Sequence, residues 1–95
     1  MPSLRLSEAA ADDLESIANH GIEQFGVHQA RHYFETLAKQ LEEIASDPLR
    51  FPEVRHIRPG YRRCVHGVHS IYFRQLRDGV EILRILGRQG LESLD

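Results

Sequence analysis

The sequence predicts an α+β domain in the order β-α-α-β-β-β, with a helical hairpin packed on one face of a small, mostly antiparallel sheet. Three observations lead to it. Apolar residues recur at helical spacing in two stretches before residue 48, with Gly26 between them. From Tyr61 onward the chain changes to runs rich in β-branched, aromatic and arginine residues, cut by the turn signals His66-Gly67 and Asp78-Gly79. Ahead of both lies a short alternating run, Leu4-Arg5-Leu6.

Leu4-Arg5-Leu6 reads as the first strand. Ser7 is placed to cap a helix, with Glu8, Asp12 and Asp13 near its positive end. Leu14, Ile17, Ala18, Ile22 and Phe25 form the apolar stripe of that helix, and Gly26 suits its end. The second helix starts near Val27 or His28. Its stripe runs from Ala30, Tyr33 and Phe34 through Leu37 and Leu41 to Ile44 and Ala45. Asp47-Pro48 stops it, because proline disfavours helix in the residue before it. The link between the helices is short, so they lie antiparallel.

Leu49 to Pro59 reads as an irregular connector pinned to the body by Phe51, Val54 and Ile57. Three strands then form a meander, because glycine after His66 or Asp78 supplies the positive φ that tight hairpins require. Val80 to Leu86 is apolar on both faces apart from Glu81 and Arg84, which predicts a central strand. The hairpin covers one sheet face and leaves the other partly open.

Ninety-five residues make a single domain, 1–95. At 41% hydrophobic and 27% charged, the composition is that of a globular protein and not of a disordered chain. No apolar run approaches the ~20 residues that cross a bilayer. Cys64 is the only cysteine, which excludes an intrachain disulfide and fits a cytoplasmic setting. It reads as a small buried hydrophobe.

Charge is divided along the chain. Residues 1–48 carry three basic and nine acidic side chains; residues 49–95 carry nine arginines and five acids. The arginines of the sheet make a docking surface for an acidic peptide or a nucleic acid, since the guanidinium fork suits carboxylates and phosphates; the strands lack the basic–aromatic interleaving of an RNA-binding sheet, which favours the peptide. The candidate binding residues are Arg62, Arg63, His69, Tyr72, Arg74, Arg84 and Arg88. The alternative is a solvated basic face with no partner.

Little else suggests chemistry. His28 and His32 have the one-turn spacing of a metal-binding pair but no third ligand in sequence. His66 and His69 read as solvent-exposed turn residues. No metal or cofactor is expected.

The chain resembles the ParE branch of the RelE/ParE superfamily of bacterial toxins. The resemblance is carried by Leu4-Arg5-Leu6-Ser7-Glu8-Ala9-Ala10, Phe25-Gly26, Ala30-Arg31-His32-Tyr33 and Ala45-Ser46-Asp47-Pro48. It continues through Pro59-Gly60-Tyr61-Arg62-Arg63, His69-Ser70-Ile71-Tyr72-Phe73-Arg74 and Ile82-Leu83-Arg84-Ile85-Leu86-Gly87-Arg88-Gln89. It implies a non-enzymatic toxin that binds and inhibits DNA gyrase, arrests growth and is neutralised by a ParD-type antitoxin. DNA would be met only through the antitoxin or gyrase. Family members often carry a histidine and an aspartate in the last motif; this chain keeps only Arg88 and Gln89 of it, with Leu86 and Gly90 at the matching positions.

Two alternatives stay open. One is a RelE-like, ribosome-dependent endoribonuclease using Arg62, Arg63, His66 or His69. By resemblance to those nucleases, Ser70 and Gln89 stand where arginines are expected, and only Arg63 falls on an expected basic position. The other is an inactive homologue that only binds its antitoxin.

Overall fold

The structure, a computed structural model, describes residues 2–87. Strand β1 (Ser3–Leu6) leads into helix α1 (Glu8–Phe25) and helix α2 (Val27–Ser46). A 3-10 turn at Pro48–Arg50 opens the connector. Strands β2 (Tyr61–His66), β3 (His69–Leu76) and β4 (Gly79–Gly87) complete the sheet. The sheet order is β1-β4-β3-β2, with β4 central as the sequence predicts. β2, β3 and β4 are antiparallel neighbours, while β1 runs parallel to β4, with Ser3 opposite Gly79 and Leu6 opposite Ile82.

Both helices end where their sequence signals fall. The Ser7 hydroxyl accepts the Ala10 N–H at 3.0 Å and so caps α1. The same hydroxyl donates to the Leu83 carbonyl at 2.8 Å, fixing the helix start to β4. Gly26 separates the helices at φ 83°. The two hairpin glycines serve different ends. Gly67 adopts φ 56°, the left-handed turn conformation that glycine reaches without strain. Gly79 has no positive φ; it is glycine because a Cβ there would overlap the Ser3 carbonyl of β1.

The core lies between the hairpin and one sheet face. Leu37, Leu41 and Ile44 of α2 meet Cys64, Ile71, Phe73, Val80 and Ile82. Each large side chain so buried contributes roughly 1.5–3 kcal/mol. Phe51 packs edge-on against Phe73, with ring centroids 5.9 Å apart, and Val54 is buried. Ile57, expected to pin the connector, is exposed instead; a turn at residues 55–57 carries it away from the body.

The ladder slips once. Tyr72 pairs with Arg84 but Phe73 pairs with Ile82, so Leu83 is an extra residue in β4. The slip lets both Ile82 and Ile85 face the core. It falls where β1 ends, and from there α1 takes over as the neighbour of β4.

α1 shows where the periodicity stops reporting burial. Leu14 and Ile17 pack against the core, but Ile22 and Phe25 are exposed. Among the described residues, nothing covers the apolar stripe at that end of the hairpin.

Candidate functional site

Strand alternation sorts the arginines onto faces. Ile71 and Phe73 point to the helices, so Tyr72 and Arg74 point away from them. Cross-strand register places Arg63 opposite Tyr72, Tyr61 opposite Arg74, and Arg5 opposite Glu81. The face away from the helices therefore carries Arg5, Arg63 and Arg74, with the buried Tyr72 between Arg63 and Arg84 in register. Ser70 is buried on that face as well, so it is less open than expected.

The arginines differ in what already holds them. Arg74 Nε bonds the Glu81 carboxylate at 2.8 Å. Arg84 turns to α1 and grips Asp13 through Nε and Nη2, at 2.8 and 3.0 Å. Asp13 also accepts the Ile85 N–H at 2.9 Å. Burial alone would raise the Asp13 carboxyl, but the Arg84 hydrogen bond, the Ile85 N–H and the Arg84 charge outweigh it and hold it below its ordinary value. The hydrogen bond that Arg84 donates to Asp13 in turn raises Arg84.

Arg62 faces the other way from Arg63. It donates to the Phe51 carbonyl at 2.6 Å and lies 3.7 Å from Glu53, which ties the connector to β2. His69 also points to the helices, where it meets Tyr33. The candidate set named from the sequence is thus divided: Arg63, Tyr72 and Arg74 share a face, Arg84 sits at its edge, and Arg62 and His69 lie on the helix side. Arg88 lies outside the described residues. Arg5 was missed, although its place between Leu4 and Leu6 put it on the opposite face from two apolar neighbours.

A second feature lies beside the hairpin tip. A groove of about 710 Å³ runs between the two helices, the C-terminal end of β4 and the β2–β3 turn. Ile17, Phe25, Phe34, Val68, Ile85 and Leu86 give it apolar walls. Phe25 and Val68 are 61% and 62% exposed, which is far more than a core stripe leaves uncovered. Its polar wall is made by His20, Tyr33 and His69.

That wall is a hydrogen-bonded cluster. The Tyr33 hydroxyl lies 2.6 Å from His69 Nδ1 and 3.1 Å from the His66 carbonyl. His66 Nε2 lies 3.1 Å from the Thr36 hydroxyl, and its Nδ1 lies 3.2 Å from Gln40 Oε1. Tyr33, Thr36 and Gln40 occupy one face of α2 at helical spacing. The turn histidines are therefore half-buried against α2 and not the exposed pair that the sequence suggested. Burial, then the charges of His66 and His20, lower His69 below its ordinary value. Burial raises Tyr33, against the pull of the Val68 N–H.

The other candidates stay quiet. His28 and His32 are both exposed, and among the described residues no three metal-ligating side chains converge. Cys64 is buried, and desolvation pushes its thiol up to about 11, which leaves no thiolate for reaction. Among the described residues no helix is long and apolar enough to cross a membrane.

The helical hairpin on a four-stranded sheet is the frame of a type II toxin–antitoxin toxin, the class to which a family match assigns the chain. Residues 4–91 match the family model of the ParE toxin of type II toxin–antitoxin systems, and the chain belongs to that family. It is 37% identical over 86 residues to toxin ParE1 of Caulobacter vibrioides, covering 90% of this chain and 88% of that one. It is 33% identical over 82 residues to toxin ParE1 of Mycobacterium tuberculosis, covering 85% and 84%. A solved chromosomal ParDE toxin–antitoxin system from P. aeruginosa superposes with a TM-score of 0.77 at 25% identity, covering 92% of this chain and 96% of that one.

Proposed function

We propose that this ParE-family toxin arrests growth by binding DNA gyrase without catalysing a reaction, and that a ParD-type antitoxin neutralises it. The observation that carries the non-enzymatic reading is the division of the basic and titratable groups. General acid–base cleavage of RNA needs cations and a proton-transfer pair at one phosphate. Arg63 lies on the face away from the helices, and Arg62, on the helix side, is held by the Phe51 carbonyl and Glu53, whereas His66 and His69 point to α2 and are bonded there. The endoribonuclease alternative would need them together.

The two surfaces suit two kinds of contact. The basic face, with Arg63 beside Tyr72 in one cross-strand row and Arg74 in the next row of the same face, fits an acidic surface of the target. The apolar groove fits an amphipathic segment of the antitoxin, with Phe25 and Val68 as the exposed walls to be covered. Apolar anchors dominate the affinity there, since each rim ion pair contributes only about 0–1 kcal/mol.

Induced expression of the chain alone should stop growth, and the purified chain should block supercoiling by gyrase. Full supercoiling activity at a large excess of the chain would refute the target. Codon-associated cuts in transcripts after induction would restore the nuclease reading.

A further inference from the structure

We propose that His69 makes the groove proton-sensitive, so that an apolar segment of the antitoxin in the groove and a proton on His69 exclude one another. The inference rests on the groove being the antitoxin's docking site, as proposed above.

The Tyr33 hydroxyl has one proton and two acceptors in reach, His69 Nδ1 and the His66 carbonyl. The shorter contact, 2.6 Å, runs to His69. With a neutral His69 whose Nε2 carries the proton, Nδ1 accepts from the phenol. A second proton can enter only at Nδ1. The Tyr33 hydroxyl must then turn to the His66 carbonyl at 3.1 Å and accept from the imidazolium, while the Val68 N–H already points at the same oxygen.

Among the described residues, every titratable group facing this site is unhelpful to that charge or already engaged. From α1 come His20 and Asp13, and the Asp13 carboxylate is held by Arg84 and the Ile85 N–H. From α2 comes Tyr33, and from β2 comes His66, whose ring is bonded to Thr36 and Gln40. From β4 the neighbouring positions are Leu86 and Gly87, the latter paired with His69. No carboxylate among the described residues is free to receive the charge.

His69 is half-buried with the groove empty, and its burial already disfavours the charged ring. An apolar side chain laid between Val68 and Ile17 would remove more water from it. Deeper desolvation disfavours the imidazolium further. Linkage makes the effect reciprocal: whatever binds the neutral form better is released as the proton binds.

Nile red, a neutral apolar dye, tests this on the full chain between about pH 5 and about pH 8, with histidine ring protons followed by NMR. In the free chain His69 should titrate with a midpoint below 6.5, and the dye should lower that midpoint. Dye affinity should fall by up to about tenfold per pH unit below it. H69N keeps an acceptor for Tyr33 and has no proton to gain, so its dye affinity should stay level. The idea is overturned by an unmoved His69 midpoint, by absence of dye binding, or by parallel losses in wild type and H69N. Failure of a ParD-type antitoxin to bind at neutral pH would refute the docking reading instead, and the dye result separates the two.

Discussion

Asp13 of α1 and Arg84 of β4 form a two-pronged ion pair across 71 positions of sequence, and the Asp13 carboxylate also accepts the backbone N–H of Ile85. The pair stands where β1 ends and β4 would otherwise lose its neighbour. Asp13 thus does for Ile85 what a strand would do. D13N weakens the grip on Arg84 and replaces an ionic acceptor with a neutral one. It should cost about 1–2 kcal/mol in denaturant unfolding, at the lower part of the range for hydrogen bonds to charged groups because Arg84 is partly solvated.

The same pair gives the acid limb of stability a definite sign. The folded Asp13 carboxyl titrates below its ordinary value of 3.8. Its contribution is complete above that value and is lost as pH falls through the lower, folded one. Urea melts of wild type and D13N should differ at neutral pH and converge at the acid end. A gap between them that stays constant down to the acid end would contradict this.

Gly79 and Gly87 bracket β4 and provide a matched comparison. A Cβ at residue 79 would overlap Ser3, while one at residue 87 meets no described residue within 4 Å. G79A should force β1 away from β4 and destabilise by ~1–3 kcal/mol or more, in the range of overpacking. G87A should change stability by less than about 0.5 kcal/mol. Thermal melts of both variants would check the pair.

The element order was legible in the chain because its signals are local. Ser7 caps, Gly26 and Pro48 break, and the two X-Gly pairs turn, each within a few residues of what it controls. Apolar residues on both faces of Val80 to Leu86 likewise marked β4 as central. Three features were not legible, and all depend on distant partners. β1 runs parallel to β4, which no turn between them announces. Asp13 looked like a helix-dipole residue because Arg84 lies 71 positions away. His66 and His69 looked exposed because their partners, Tyr33, Thr36 and Gln40, sit on a different element.

Tyr33 is the hub of that last cluster. Y33F keeps the ring stacked beside both histidines, at centroid distances of 5.5 and 5.6 Å, and removes only the hydroxyl. The loss should be about 1 kcal/mol, with the hydrogen-exchange protection of Val68 falling most. G67A is the harsher change in the same place. It combines a strained φ with a Cβ 2.9 Å from the Tyr33 hydroxyl oxygen, and should cost more than Y33F.

Charge reversal separates binding from folding. R63E/R74E alters the basic face without touching the core or the groove, and among the described residues the ion pair lost is Arg74–Glu81, which is largely solvated. Stability should stay within about 1 kcal/mol of wild type. Growth arrest on induction should disappear while antitoxin binding persists. Retained growth arrest would move the target-binding surface elsewhere.

Ser3 lies opposite Gly79, so the first strand finds its place only against nearly the last one made. During translation, the two helices leave the ribosome long before β4 exists to receive β1. Non-local pairing of this kind comes late and slowly compared with helix formation. β1 therefore joins the sheet only once β4 has been made. A message cut or stalled short of codon 79 yields the helical hairpin and at most the β2–β3 pair, with no central strand for β1 to join.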